Sequence, residues 1–473
     1  MDENDIFKPV SAFQNEAGVQ PELPPENTIN FPPPAELPSA PPPSMLFKVL
    51  KIFLGIIIVF GIISVIYNTV LPRFFPSKIN QVTLVYWGVL EDPSIVAPII
   101  SDFEQAHPNI KIEYSKQDPD QYRDRFITRS NNGNGPDIFS FHNTWLPELS
   151  GSLLPLPNSI ISKDDFSKNF YPVVKTDLVR NGAIYGVPLE IDTLNLFINR
   201  NLFQAAGLKA PETWIDFMNY ARQLTVKDDK NSIKTAGAAM GTFGNITHAP
   251  DIMSLLFAQD GVNLNNMSSN LPAVSDALNF YTSFALSNGN VWDDTLDESI
   301  KVFASGTLAM YLGYSWDFFT IKSINPNLLF DIYPVPSLPG QSMTIASYWA
   351  EGISSKSKHQ QEALLFMQYL ISKKTAQKLF GEEAKTRNFG EPYARVDLAS
   401  GLSNSIVYPF VVSAPSAVSS YFVDGTYDNG LNSKMNSYLS TAVNSILQSN
   451  SSPQTAAETL SQGSSQTLKQ YGQ

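Results

Sequence analysis

Cysteine is absent from the 473 residues. That excludes disulfides, thiolate metal sites, a cysteine nucleophile and a lipid anchor carried on cysteine, and it leaves the redox compartment open. Positive charge is scarce, with 32 lysines and arginines against 44 acids and a formal charge of −12. A surface of that sign repels phosphates, so nucleic acid is not an expected partner. The four histidines, His107, His142, His248 and His359, lie far apart in the chain. They point to surface or helix-end roles rather than to a metal motif. There is no G-x-S-x-G elbow, H-E-x-x-H, P-loop or G-x-G-x-x-G, and no internal repeat. No cofactor, metal or catalytic group is expected.

What is present begins with a tail. Residues 1–44 hold seven acids, one lysine, and ten prolines between Pro21 and Pro43. Such a segment buries too little apolar surface to fold and is expected to be disordered or polyproline-like. Ile52 to Leu71 then runs twenty residues without a charge, enough at 1.5 Å per residue to span a hydrocarbon core of about 30 Å. It is read as a transmembrane helix. A cleaved signal peptide is the rival, but the run is long, starts late, and is followed by no small-x-small site. Lys48 and Lys51 before it balance Arg73 and Lys78 after it, so charge does not orient the span.

From Val82 the pattern alternates. Val82 to Trp87 reads as a strand, Ile95, Val96, Ile99, Ile100 and Phe103 as a helix capped by Ser94, and Ile110, Ile112 and Tyr114 as a second strand. A helix over Tyr122 to Arg129 and a strand from Ile138 to Phe141 follow. This rhythm predicts a mainly parallel sheet with ligand-facing loops at the strand C-terminal ends. Further on, the stretch from Asn181 to Asn201, NGAIYGVPLEIDTLNLFINRN, breaks a strand with Pro-x-x-x-Asp. Proline removes a ladder donor, so this piece suits a crossover between two sheets better than the middle of one. Glu190 and Asp192 sit just after that proline.

YGVPLEIDTLNLFINRNLFQAAGL followed by PETWIDFMNYARQLT resembles the hinge segment of the family 1 extracellular solute-binding proteins of ABC importers, the maltose-binding-protein group. VTLVYWG, GPDIFSFHNTWLPELSGSLLPL and FASGTLAMYLG look like other motifs of that family, and the resemblance spans about residues 80 to 473. It implies a two-lobed α/β domain of the type II periplasmic-binding-protein class, closing about hinge crossings. Lobe one would comprise 79–190 and 337–395, and lobe two 195–333 and 398–473, preceded by the anchor over 45–74. The implied crossings lie near Pro188 to Asp192, Tyr333 to Pro336 within DIYPVPSLPG, and Arg395 to Asp397. The periodic tail from Gly430 to Tyr471 would pack late helices on lobe two. Orientation, with the tail cytoplasmic and the lobes outside the cell, also follows from the resemblance.

The resemblance implies a small-molecule solute, ABC permease subunits as partners, and a membrane tether. Sugar recognition needs flat apolar faces together with amide or carboxylate acceptors. Trp87, Asn143, Asp192, Trp316 and Trp349 are of those types, with Glu190 and Glu351 behind them. Trp316 matches the family's stacking aromatic after Ala-Met, with Asp317 beside it; Asp192 matches the hinge-side acid, and Asn143 lies in the polar loop after Pro-Asp. His248 and Asp251 occupy the region of a further contact, but GNITHAPD departs from the aromatic expected there. A non-sugar solute such as a polyamine or peptide, a glycan sensor or adhesin without transport, and a surface glycosidase remain alternatives.

Overall fold

The computed structural model describes residues 45–66, 68, 81–286, 289–338, 340 and 342–473. The proline-rich tail and the end of the apolar run lie outside the described residues. Two compact units are present, Met1–Lys78 and Ile79–Gln473. In the first, α1 (Met45–Val65) is apolar and exposed along its length. Among the described residues it is the one helix long and apolar enough to cross a membrane.

The second unit opens with β1 (Val82–Gly88), α2 (Pro93–Ala106), β2 (Ile110–Lys116), α3 (Tyr122–Asn131) and β3 (Ile138–His142). Strand β1 pairs in parallel with both β2 and β3, as the alternation of strands and helices predicts. Helix α2 buries Ile95, Val96, Ile99 and Phe103 along one stripe. It starts one step earlier than expected: Asp92 is the N-cap and Pro93 occupies the first turn, so Ser94 lies inside the helix and Pro98 is interior. Proline withholds one helical donor there. Gly88 ends β1 where a Cβ would overlap the Tyr114 hydroxyl, and only glycine lets that phenol donate to the Glu91 carbonyl at 2.6 Å.

The broken stretch after Pro188 crosses between sheets. β4 (Asp192–Thr193) and β5 (Asn195–Asn199) are separated by one residue yet belong to different sheets. With β6 (Val226–Lys227), β7 (Ile233–Ala238), β8 (Leu308–Gly313) and β9 (Phe330–Pro334), β5 forms a sheet of order β9-β5-β8-β7-β6. Helix α4 (Ala249–Gln259) is buried along its whole length beside it. β10 (Thr344–Ser347) then pairs with β4, and β11 (Trp349–Ile353) adds to β3 antiparallel, completing the first sheet as β11-β3-β1-β2. After α5 (Lys373–Thr386), β12 (Ala417–Val418) joins β10 in a short sheet of order β12-β10-β4. Two long helices close the chain, α6 (Leu431–Ser449) and α7 (Pro453–Gln470).

Two hydrophobic cores result. One runs from Leu84 to Ile191 and from Ala346 to Ile371; the other runs from Leu194 to Ile345 and, after Leu398, takes in α6 and α7. The chain therefore leaves the first core at β4 and re-enters it between Ile345 and Ala346. Val335 and Leu338, in the proline-rich stretch expected to cross, still pack against the second core. Prolines stiffen that stretch, but the backbone pairing needed for a crossing is supplied by β10.

The two cores also meet through charge. Arg123 on α3 pairs with Glu148, and with Asp428 just ahead of α6, where side-chain exposure is 10%, 7% and 0%. Asp428 also accepts from the backbone N–H groups of Gly430 and Asn432, each at 2.8 Å. Burial, and then Asp428, hold the Glu148 carboxyl at about 7. Arg123→Ala leaves two buried carboxylates facing one another and is expected to cost about 3–5 kcal/mol in urea unfolding. A loss within the range of an exposed ion pair, about 1 kcal/mol or less, would show that the cluster contributes nothing beyond a surface pair.

Candidate functional site

A cavity of about 440 Å³ lies between the two cores. Its walls come from the ends of β1 and β3 and from β11 on one side, from the segments around β4 and Glu391, and from loops of the second core on the other. Trp316 supplies an aromatic face. It is 37% exposed and lies flat on buried Tyr314, ring centroids 4.4 Å apart at 17°. Tyr314 is fixed in turn by donating to Asp251 Oδ1 at 2.6 Å. The stack offers one indole face to the cavity and keeps the other dry.

The loop carrying Trp316 is held by two acids, one from β4 and one from the segment after α5. Asp192 Oδ2 accepts from Ser315 N at 2.7 Å and its Oδ1 from Thr193 N at 2.8 Å. The Ser315 hydroxyl donates to Glu391 Oε2 at 2.8 Å. Burial, and then the nearby Glu391, push the Asp192 carboxyl well above the usual range. Asp192 thus holds the aromatic loop through Oδ2 while Oδ1 is fixed on its own strand.

Carboxylates crowd the first-core side. Arg387, at the end of α5, bonds Glu91 at 2.7 Å and Glu391 at 2.9 Å, with Glu383 at 3.2 Å. Glu190 lies beside Glu383, and burial, and then that neighbour, raise it strongly. Glu351 sits on β11 opposite Ser140, whose hydroxyl donates to Oε1 at 2.8 Å. Burial lifts the Glu351 carboxyl to about 7.

All four histidines sit at helix ends, and the two buried ones differ in charge. His142 bonds no carboxylate: its ring bonds the hydroxyls of Thr144 at 2.8 Å and Ser347 at 3.1 Å and accepts from Thr144 N–H at 3.4 Å, and burial drives it down to about 3. His248 lies between Asp424 and Asp317, each 2.8 Å from a ring nitrogen. Burial opposes its charge, yet the two carboxylates outweigh that and raise it well above the ordinary value. An imidazolium here holds the two acids at the cavity wall. His248 adopts φ +64°, a conformation rare for residues with a Cβ, and its N–H donates to the same Asp424 at 3.0 Å. His248, Asp251 and Asp424 stand close enough to share a cation, as do Glu91, Glu190 and Glu383. Both ring nitrogens of His248 and all four carboxylate oxygens of Asp251 and Asp424 are already bonded to protein partners, so the geometry of the first group serves structure.

Of the residues singled out from sequence, Glu190, Asp192, Trp316, Trp349 and Glu351 line the cavity together. Trp87 and Asn143 do not. Trp87 is 6% exposed and packs on Tyr122 under Arg129, while Asn143 is 2% exposed and donates to Asp177 at 2.8 Å. Glu91, His248, Arg387, Asp424 and Tyr427 also line it. Of these, only His248 carried a signal in the sequence, and the absence of an aromatic in its loop counted against it.

The family described as bacterial extracellular solute-binding protein matches residues 87–377. The multiple sugar-binding protein of Streptococcus mutans serotype c is 24% identical over 322 residues, 64% of this chain and 74% of that one. The diacetylchitobiose binding protein DasA of Streptomyces coelicolor is 25% identical over 243 residues, 50% and 55% of the two chains. Among solved structures, the sugar-binding protein MalE from Xanthomonas citri superposes with TM-score 0.67 at 19% identity, covering 82% of this chain and 98% of that one. A cyclo/maltodextrin-binding protein complexed with maltotetraose gives 0.64 at 18%, with the same coverage. The two-lobed α/β fold is thereby shared.

Glu148, Glu351 and Glu383 are raised to about 7 and Asp177 to about 6, burial being the first cause in each. An acid raised in the folded state holds a proton that the unfolded chain has released, so its stabilisation is complete below about pH 4 and is lost as pH rises toward 7. The melting temperature is therefore expected to be higher at pH 5 than at pH 8. Glu351→Gln should flatten part of that slope; an unchanged slope would mean Glu351 is ionised throughout.

Proposed function

The chain belongs to the bacterial extracellular solute-binding protein family, and from that premise we propose that it is the substrate-capturing component of an ABC importer, holding a sugar or oligosaccharide between its lobes. One observation carries the reading. Trp316, half-open to the cavity and backed by Tyr314, is a flat apolar platform rimmed by Asp317, Asp424 and His248, all anchored by mutual bonds. A pyranose stacks its C–H face on such a surface and gives its hydroxyls to the carboxylates. The Streptococcus relative is named for sugar binding, and structural neighbours hold maltotetraose and mannotriose, which supports the same class.

Ligand touching walls from both cores gains its full contacts only when they approach, so occupancy favours the closed form. That closed form is the state a permease would recognise. Helix α1 serves as an uncleaved tether, with residues 1–44 cytoplasmic and the lobes 79–190 with 337–395 and 195–333 with 398–473 outside the cell. Lacking cysteine, the chain uses this helix where a lipid would otherwise keep it near its permease at high effective concentration. In this reading the site binds without turnover; that both oxygens of Asp192 accept from backbone N–H groups supports a positioning role for it over one as partner to Glu190 in glycosidic cleavage.

The test is thermal unfolding of the full chain, in a detergent free of sugar headgroups, against saccharides, amino acids and polyamines. A melting temperature rising with the concentration of one saccharide supports the reading, since ligand bound only to the folded state stabilises it. A response confined to amino acids or polyamines overturns it. With the responding sugar, Trp316→Ala should weaken binding about tenfold, on the order of 1.4 kcal/mol, at unchanged stability without ligand. Calorimetric titration giving wild-type affinity would remove Trp316 from the site.

A further inference from the structure

Acidic side chains in the cavity outnumber its cations. Among the described residues seven carboxylates line it against two cationic side chains, and both cations are already committed. Arg387 is shared among Glu91, Glu383 and Glu391. His248 is shared between Asp317 and Asp424. Asp192 is occupied by two backbone N–H groups. Two acids remain, Glu190 and Glu351.

Each of these keeps a buried oxygen, Glu190 Oε1 and Glu351 Oε2, with no hydrogen-bond partner among the described residues. Glu351 is only 7% exposed. Both line the first-core side of the cavity, Glu190 beside Glu91 and Glu383 and Glu351 beside Ser140. Backbone bonds tie Glu351 to Val187, at 2.9 and 3.0 Å, three residues before Glu190. Tyr114 lies within the field of both, and its hydroxyl is raised by burial and then by Glu351, Glu91, Asp92 and Glu190. A buried acceptor without a donor is costly, and a buried carboxyl without a counter-charge holds a proton instead, as the raised carboxyls of Glu190 and Glu351 do; a bound cation would let that proton leave. A neutral hydroxyl would fill the hydrogen bond and leave the carboxyl without a counter-charge. An ammonium fills both, offering up to three donors and a charge-assisted bond roughly twice as strong, with the Tyr86 and Tyr114 rings beside it.

Building on the sugar reading above, we propose that the solute is a saccharide bearing a protonated amine, received by Glu351 and Glu190 on the first-core wall while a ring stacks on Trp316. The neutral members of the cavity then set shape, and the two acids set selectivity for amine over hydroxyl or amide at that position.

The experiment titrates the full chain at pH 6.5, in sugar-free detergent, with short β-1,4-linked glucosamine oligomers, the same oligomers after complete N-acetylation, the matching glucose oligomers, an aminoglycoside and spermidine. An amine-bearing saccharide should bind about tenfold or more tightly than its acetylated or hydroxyl counterpart. Glu351→Gln, which keeps the Ser140 bond and the side-chain shape, should bring the amine and neutral forms to within about threefold, and Glu190→Gln should lower the preference in the same direction. Circular dichroism and the unliganded melting temperature establish that both variants fold. Equal or tighter binding of a neutral oligomer overturns the proposal and leaves the sugar reading standing. Binding of spermidine with no saccharide bound overturns both. A preference that survives intact in Glu351→Gln and Glu190→Gln also overturns it, because the selectivity would then lie elsewhere.

Discussion

Two hydrophobic cores share one chain, and each passage between them must carry backbone N–H and C=O groups through a gap that neither core covers. Buried backbone polar groups have to be paired. The short β12-β10-β4 sheet does this, with Ser347 opposite Asp192 and Ala346 opposite Thr193. Side chains there are polar for the same reason: Thr193 donates to the Phe410 carbonyl at 2.8 Å and Thr344 to that of Leu194 at 2.6 Å. The rest of the molecule depends on this seam.

The cavity floor is built from the same seam. Asp192 leaves it to hold Ser315, and Ser315 fixes where Trp316 stands. Glu391 reaches the same serine from the segment after α5 and also reaches Arg387. Pairing demanded by a crossing thus places an aromatic platform and a group of acids in one cleft. Burying those acids raises them, which makes the floor proton-sensitive. The contrast between His142 and His248 follows the same physics: burial neutralises an imidazole among hydroxyls and is overruled between two carboxylates.

Much of this was legible in the sequence where the signal is local. Alternation in VTLVYWG and IKIEY specified strands, the stripe from Ile95 to Phe103 specified a helix, and a proline followed by an acid marked the passage between sheets. Trp316, singled out by the motif before it, lines the cavity. Trp87 and Asn143 were not separable from it by type, because a tryptophan or asparagine at a strand end fits equally a ligand or a neighbour. Tyr122 and Arg129 cover Trp87, and Asp177 takes the Asn143 amide. Neither partner is near in sequence.

The sequence by itself determined the α/β rhythm, the apolar helix ahead of it, the absence of cysteine chemistry and the place of the first crossing, since each rests on periodicity or residue type within a few turns of chain. Tertiary structure alone decided the second crossing, at β10 rather than in the proline-rich stretch, because pairing with β4 joins residues about 150 apart. It alone brought Asp424 to His248, 176 residues away, and left one oxygen each of Glu190 and Glu351 without a donor among the described residues. Charge and hydrogen-bond balance belong to the assembled cleft, where groups from distant segments either satisfy one another or leave an acceptor for a ligand.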